Sequence, residues 1–143
     1  MSFADIYQIS GSAMSAQTVR LNTVASNIAN ADSPAASEAA TYKARSPVFA
    51  AEYHSSLAAA GHHEMTGASV RLEDVVETGT AVRRYEPHHP MADENGYVWY
   101  PDVNVVEQMA DMMSASRDFE TNVDVLNNVK SMQQSLLRLG ENA

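Results

Sequence analysis

The chain has 143 residues, 45% of them hydrophobic, with 9 Lys and Arg against 18 Asp and Glu and no cysteine. A net charge of −9 argues against phosphate backbones and anionic membrane surfaces as partners, because both need Lys and Arg to neutralise them. Without cysteine there are no disulfides, no thiol catalysis and no Cys-based zinc site. No run approaches the ~20 consecutive apolar residues of a transmembrane helix, so direct membrane insertion is not expected.

The length fits one domain, or a small domain with helical arms. Met-Ser-Phe-Ala-Asp lacks a basic segment followed by an apolar one, so no cleaved signal peptide is expected. Ser2 with Asp5 resembles a capping box and opens a helix running to about Asn30. Its apolar pattern keeps a seven-residue repeat, with Tyr7, Met14, Leu21 and Ile28 on one line and Phe3, Ser10, Gln17 and Val24 on the other. That spacing is a coiled-coil seam, which Ser10 and Gln17 weaken. Ser10, Gly11, Ser12 and Ala13 form a small-residue patch. It is read equally as a close-approach site for another chain or as a tolerated irregularity.

Pro34 stops this helix, and residues 35–40 read as a loop. The texture then turns β-like. Val70 and Leu72 alternate with polar neighbours ahead of Val75-Val76, and short runs follow at Ala81–Tyr85 and Tyr97–Tyr100. Asn95-Gly96 is a turn signal. A small β element of three or more strands is predicted, with Phe49–Ala60 left open between strand and helix.

The second helix starts at Asp102 or Asn104, after Pro101 closes the preceding strand, and Asn104 with Glu107 fits a second capping box. The helix it opens runs to about Leu139, with Gly140 as its C-cap. Val105, Met109, Met112, Ser116, Phe119, Val123 and Leu126 recur at four- and three-residue steps. Beyond Leu126 the stripe moves sideways to Val129, Met132, Leu136 and Leu139. One helix with two apolar faces implies two neighbours. At 1.5 Å per residue the two helices span roughly 40 and 55 Å, long for so small a chain to cover, so both are expected to be poorly ordered until packed against other subunits.

The predicted fold class is α+β: N- and C-terminal helices forming an antiparallel coiled-coil-like pair, with a small β-rich middle. The segments are 1–34, 35–100 and 101–143. Candidate assembly and core-packing residues are Tyr7, Met14, Leu21, Val24, Asn27, Ile28 and Asn30 on the first helix. On the second they are Val105, Met109, Met112, Phe119, Val123, Leu126, Val129, Met132 and Leu136. Phe119, Val123 and Leu126 are the core anchors, and the methionines are adaptable packing residues.

No catalytic site is visible. His54, His62, His63, His88 and His89 include two adjacent pairs, which diverge on a strand or helix and suit a shared metal poorly. Glu73-Asp74 and Asp93-Glu94 fall in predicted loops and read as solvated charge. Neither Gly-x-Ser-x-Gly nor a phosphate-cradling glycine loop occurs. No cofactor, metal site or enzymatic activity is expected.

Two stretches near the N-terminus, Gly11-Ser-Ala-Met-Ser-Ala-Gln17 and Arg20-Leu-Asn-Thr-Val-Ala-Ser-Asn-Ile-Ala-Asn-Ala-Asp-Ser33, closely resemble the N-terminal signature of the flagellar rod, hook and hook-associated proteins. His89–Gln108 and Ser114–Met132 are similar to the proximal-rod members of that family. The matched stretches cover well over half the chain. One departure is the loop, where Pro34 and a short insertion precede Thr41-Tyr42-Lys43 and no glycine is present.

The resemblance implies a bacterial axial protein exported unfolded through the flagellar type III apparatus. Its helices would pack against one another and against neighbouring subunits in a hollow rod that crosses the periplasm, transmits torque and conducts export. The implied partners are other proximal and distal rod subunits, the adaptor protein and ring at the rod base, and the export apparatus, in homo- and hetero-oligomers. It implies that Asn27 and Asn30 bond backbone or neighbouring subunits, against simple helix-end capping as the alternative. Arg117 and Glu120 are candidates for inter-subunit ion pairs. The competing readings are an acidic helical binding protein such as a secretion chaperone and, more distantly, a His-dependent metalloprotein.

Overall fold

The computed structural model describes residues 3–57 and 63–141. It is α+β: helix α1 (Phe3–Asn30), a 3-10 turn (Glu38–Ala40), strands β1 (Arg45–Leu57), β2 (His63–Glu77), β3 (Ala81–Tyr85) and β4 (Tyr97–Pro101), and helix α2 (Val105–Glu141). The strands form two antiparallel two-stranded sheets, β1-β2 and β3-β4, rather than a single β element. Phe49–Leu57, left open between helix and strand by its sequence, is strand; Ala58–Ala60 lie outside the described residues, as does Ser2 of the first capping box.

Helix ends follow local chemistry. Asn104 Oδ1 accepts from the backbone N–H of Val106 (3.1 Å) and Glu107 (3.3 Å), so it is the N-cap of α2. At the other end α2 runs through Gly140 to Glu141, and Gly140 does not act as the predicted C-cap. Helix α1 closes with a tight last turn, Ala31 N–H donating to Ile28 O at 3.2 Å and Ser33 N–H to Asn30 O at 3.1 Å, before Pro34 ends it.

Packing divides the chain into two compact units. One takes Met1–Thr18, Phe49–Glu73 and Ala115–Ala143; the other takes Val19–Val48 and Asp74–Ser114. In the second unit β3 and β4 pair in register from Ala81↔Pro101 to Tyr85↔Tyr97. Val98 (0% exposed), Tyr100 and Pro101 are buried, while Tyr97 and Trp99 alternate to the opposite face, where Arg83 lies over both rings. Ala35 bridges the free edge of β4, exchanging backbone hydrogen bonds with Trp99 at 2.8 and 3.1 Å. Buried polar groups there are paired. Tyr100 donates to Glu86 Oε2 at 3.1 Å, and burial first, then this carboxylate contact, holds its phenol above the ordinary value.

Asn95-Gly96 is a turn, as its sequence indicates, but it sits inside the 86–96 connection instead of joining strands directly. Gly96 has φ 81°, which a side chain at this position would disfavour. Asp93 Oδ1 accepts from Asn95 N–H at 2.9 Å and Tyr97 N–H at 2.8 Å, pinning that turn.

In the first unit α1 meets β2. Val70 N–H donates to Ser12 Oγ at 3.1 Å, and the Ser12 hydroxyl donates to Ile9 O at 2.8 Å. The small-residue patch therefore lies beside the chain's own strand, through Ser12, whereas Gly11 faces open space.

Candidate assembly surfaces and the Asn27 junction

Burial along α1 repeats every seven residues, but on a line displaced from the apolar one. The covered positions include Phe3, Ile6, Ser10, Ala13, Gln17, Arg20, Val24, Asn27 and Ala31, at alternating steps of three and four. Phe3, Ser10, Gln17 and Val24 belong to the expected seam. Its second covered line is Ile6, Ala13, Arg20 and Asn27, more covered than Tyr7, which is exposed, and lying beside Met14, Leu21 and Ile28, which are half-buried. After Ile6 this line carries only small and polar residues, Ala13, Arg20 and Asn27, so a reading led by hydrophobicity settles one position away.

Helix α2 behaves similarly. Its covered line is Val105, Gln108, Met112, Ala115, Phe119, Asn122, Leu126 and Val129. Of the candidates, Val105, Met112, Phe119, Val123 and Leu126 are half-buried and Val129 is buried. Met109 (52% exposed), Met132 (59%) and Leu136 (54%) are not covered within the chain. Gln108 and Ala115 were missed; the step of three from Val105 and from Met112 points to them, but Met109 is the more apolar choice.

Among the described residues, two helical surfaces bear on assembly because the chain does not cover them. Residues 130–140 of α2 are exposed throughout, including Leu137 (66%) and Leu139 (68%), and Asn128, Ser131, Met132, Ser135 and Leu136 line a shallow, mostly apolar depression there. Free helical faces in water normally carry charge. The second surface is the exposed line of α1, namely Ala4, Gln8, Gly11, Ser15, Thr18, Asn22, Ala25 and Ala29, which carries none.

Asn27 occupies a polar junction in the second unit, 2% exposed. Its Nδ2 donates to Arg45 O and to Gln108 Oε1, both at 2.9 Å. Its Oδ1 accepts from Arg45 N–H and from the Tyr42 hydroxyl, again at 2.9 Å each. The amide thus uses its full capacity of two donors and two acceptor sites, joining α1, the strand entering β1, and α2. Tyr42 Oη also lies 3.2 Å from Ser26 Oγ. Asn30 only donates back to Ser26 O within its own helix, at 2.8 Å.

Further contacts link the two helices. Arg20 pairs with Asp111 at 2.9 Å in the second unit. In the first, Gln17 Nε2 reaches Asp118 Oδ2 at 3.5 Å while Gln17 Oε1 is buried without a partner. Arg117 and Glu120 are exposed. Among the described residues no group of three or more His, Asp or Glu could hold a metal ion, and no helix is long and apolar enough to cross a membrane. His62 lies outside the described residues, and only the backbone is described at His54 and His63.

Uncovered apolar helix and a packed polar junction describe a structural part that is completed by assembly. The comparisons agree. Residues 8–35 match the family model described as flagella basal body rod protein, and residues 94–139 match the C-terminal model of the flagellar basal body rod FlgEFG proteins. The chain is 44% identical to the flagellar basal-body rod protein FlgC of Salmonella typhimurium and 42% identical to that of Escherichia coli O157:H7, over 99% of this chain and 100% of each relative. It is 33% identical to FlgC of Agrobacterium fabrum over 92% of this chain and 91% of the relative. The chain belongs to the FlgC family of flagellar basal-body rod proteins. It is a structural subunit of the rod and not an enzyme, and nothing supports the chaperone reading.

Proposed function

We propose that this subunit is a proximal-rod component that assembles, with copies of itself and with other proximal and distal rod proteins, into a hollow tube that transmits torque and conducts export across the periplasm. In this reading it also meets the adaptor protein and ring at the rod base, and it reaches its place through the flagellar export apparatus without signal cleavage. The observation that carries the reading is the uncovered apolar end of α2, Met132, Leu136, Leu137 and Leu139. A contiguous apolar helical face left in water is a docking surface waiting for a neighbour. The charge-free exposed line of α1 supports it.

Antiparallel, coiled-coil-like pairing of α1 and α2 is part of the proposal. Its support is that Arg20 meets Asp111 and Asn27 meets Gln108, so position falls along α2 as it rises along α1, and that both covered lines repeat every seven residues.

The test is complementation of a strain deleted for this gene. The wild-type chain restores swimming in soft agar and is recovered in purified basal bodies. Leu126→Asp puts a carboxylate on the half-buried seam of α2 and gives neither. Full motility of the Leu126→Asp strain overturns the assignment of this face, and absence of the wild-type chain from basal bodies overturns the function.

A further inference from the structure

The Asn27 junction is more selective than packing requires. Three stretches distant in sequence meet at one buried amide, and two of its four hydrogen bonds go to the N–H and C=O of the same residue, Arg45. A backbone amide on a neighbouring strand would bond Arg45 in the same way, so the side chain stands in for one strand residue. The orientation of the amide is not arbitrary, because Arg45 N–H can only donate and Arg45 C=O can only accept.

We infer that Asn27 is a positioning residue that sets the register in which the root of the β1-β2 hairpin is held on the helices. Chain geometry supplies the selectivity. Moving the 42–45 segment by one residue turns both backbone groups away from Asn27, since a strand alternates with a period of two. Moving it by two brings either Pro47, which has no N–H to donate, or Lys43, which displaces Tyr42 from Asn27 Oδ1. Only Arg45 satisfies the amide while Tyr42 supplies the fourth bond.

The same register closes the hairpin. Ala44 O accepts from Thr78 N–H at 2.8 Å and Gly79 N–H at 3.3 Å. An added Cβ at Gly79 would collide with the Ala44 backbone nitrogen, and Arg45 lies 3.7 Å from Glu77. A buried amide of this kind contributes specificity more than stability, as a polar residue does when it fixes the register of a helical pair.

Because the chain has no cysteine, register can be read directly. Arg45→Cys with Glu77→Cys leaves every backbone group that Asn27 binds in place and introduces the only two thiols. The expected result in the full-length chain is efficient cross-linking by a short bismaleimide, falling several-fold when Asn27→Leu is added, while far-UV circular dichroism shows the helices retained. Tryptic cleavage after Lys43 should accelerate about tenfold, because the segment loses the hydrogen bonds that hold it closed. Tyr42→Phe, which removes one of Asn27's four bonds and the Ser26 contact and keeps the ring, should give a smaller acceleration and keeps the inference testable if the Leu variant does not fold. Cross-linking and tryptic cleavage that are unchanged in Asn27→Leu, or in Tyr42→Phe if Asn27→Leu is unfolded, overturn it.

Discussion

Replacing Leu136 and Leu139 together by glutamine separates folding from assembly. Gln matches Leu closely in helix propensity and adds no charge, whereas Asp near a helix C-terminus would oppose the macrodipole. Leu136 is 54% and Leu139 68% exposed in the free chain, so their folding contribution is already small. If full burial of Leu is worth about 2 kcal/mol, covering the exposed parts in the rod releases about 2.5 kcal/mol per subunit. At 1.4 kcal/mol per tenfold, that is a loss of about 60-fold in each association constant, repeated at every subunit added. The expected outcome is an unchanged melting curve for the purified chain, with swimming in soft agar and recovery of rods in basal-body preparations both sharply reduced. A double variant that melts several degrees lower would show these leucines to be core after all. One that swims normally would show that nothing covers them.

Other positions test the interior. Val98→Ala, at a fully buried site on β4, should cost about 2–3 kcal/mol in denaturant unfolding through lost transfer energy and the cavity left behind. Asn104→Ala removes the acceptor at the start of α2 and should cost about 1 kcal/mol, visible as fraying of the first turn in hydrogen exchange. Gln17→Leu should leave stability equal or raise it by about 1 kcal/mol, because it removes a buried oxygen that has no partner and sacrifices only a 3.5 Å hydrogen bond. Tyr100 has its pKa raised in the fold, so its contribution is complete below the ordinary phenol value near 10 and is lost as pH rises through the higher folded value. Tyr100→Phe should accordingly lose less stability than the parent in melts carried from neutral pH to strongly alkaline pH.

Both helices and the strands β3 and β4 are legible in the sequence because each rests on a local signal. Asn104 caps, Pro34 stops, and Tyr97–Pro101 alternates. The strand character of Phe49–Leu57 is not legible, since Val48-Phe49-Ala50-Ala51 suits a strand or a helix equally and only pairing with β2 decides it. On α1 one of the two expected lines is covered and the other is displaced by one position, for a different reason. Its covered line carries Ala13, Arg20 and Asn27, residues that a hydrophobic period cannot detect because they are satisfied by hydrogen bonds and close approach instead of apolar burial. The same blindness hides Gln108 and Ala115. The resemblance singled out Asn27 but could not show that its partner would be the backbone of Arg45, eighteen residues on. That pairing depends on where Tyr42–Arg45 returns to the helix, which no local rule fixes.

The two helices also differ in what they leave uncovered, and the difference bears on assembly. The exposed line of α1 is small and uncharged, the kind of surface against which another backbone can come close. The exposed end of α2 carries Met132, Leu136, Leu137 and Leu139 among polar residues and the cations Lys130 and Arg138, and its apolar side chains need a complementary apolar surface. Contacts between unlike faces are heterologous, and heterologous contacts close into rings or continue as open helical filaments according to the rotation they impose. A subunit that extends a rod needs the second outcome. It also needs each added copy to present the same surfaces as the last, and a chain whose covered α1 line contains Ser10, Gln17, Arg20 and Asn27 gains that uniformity at some cost in apolar burial. Asn27, with every hydrogen-bonding group matched, is where the exchange of stability for a single geometry is most complete.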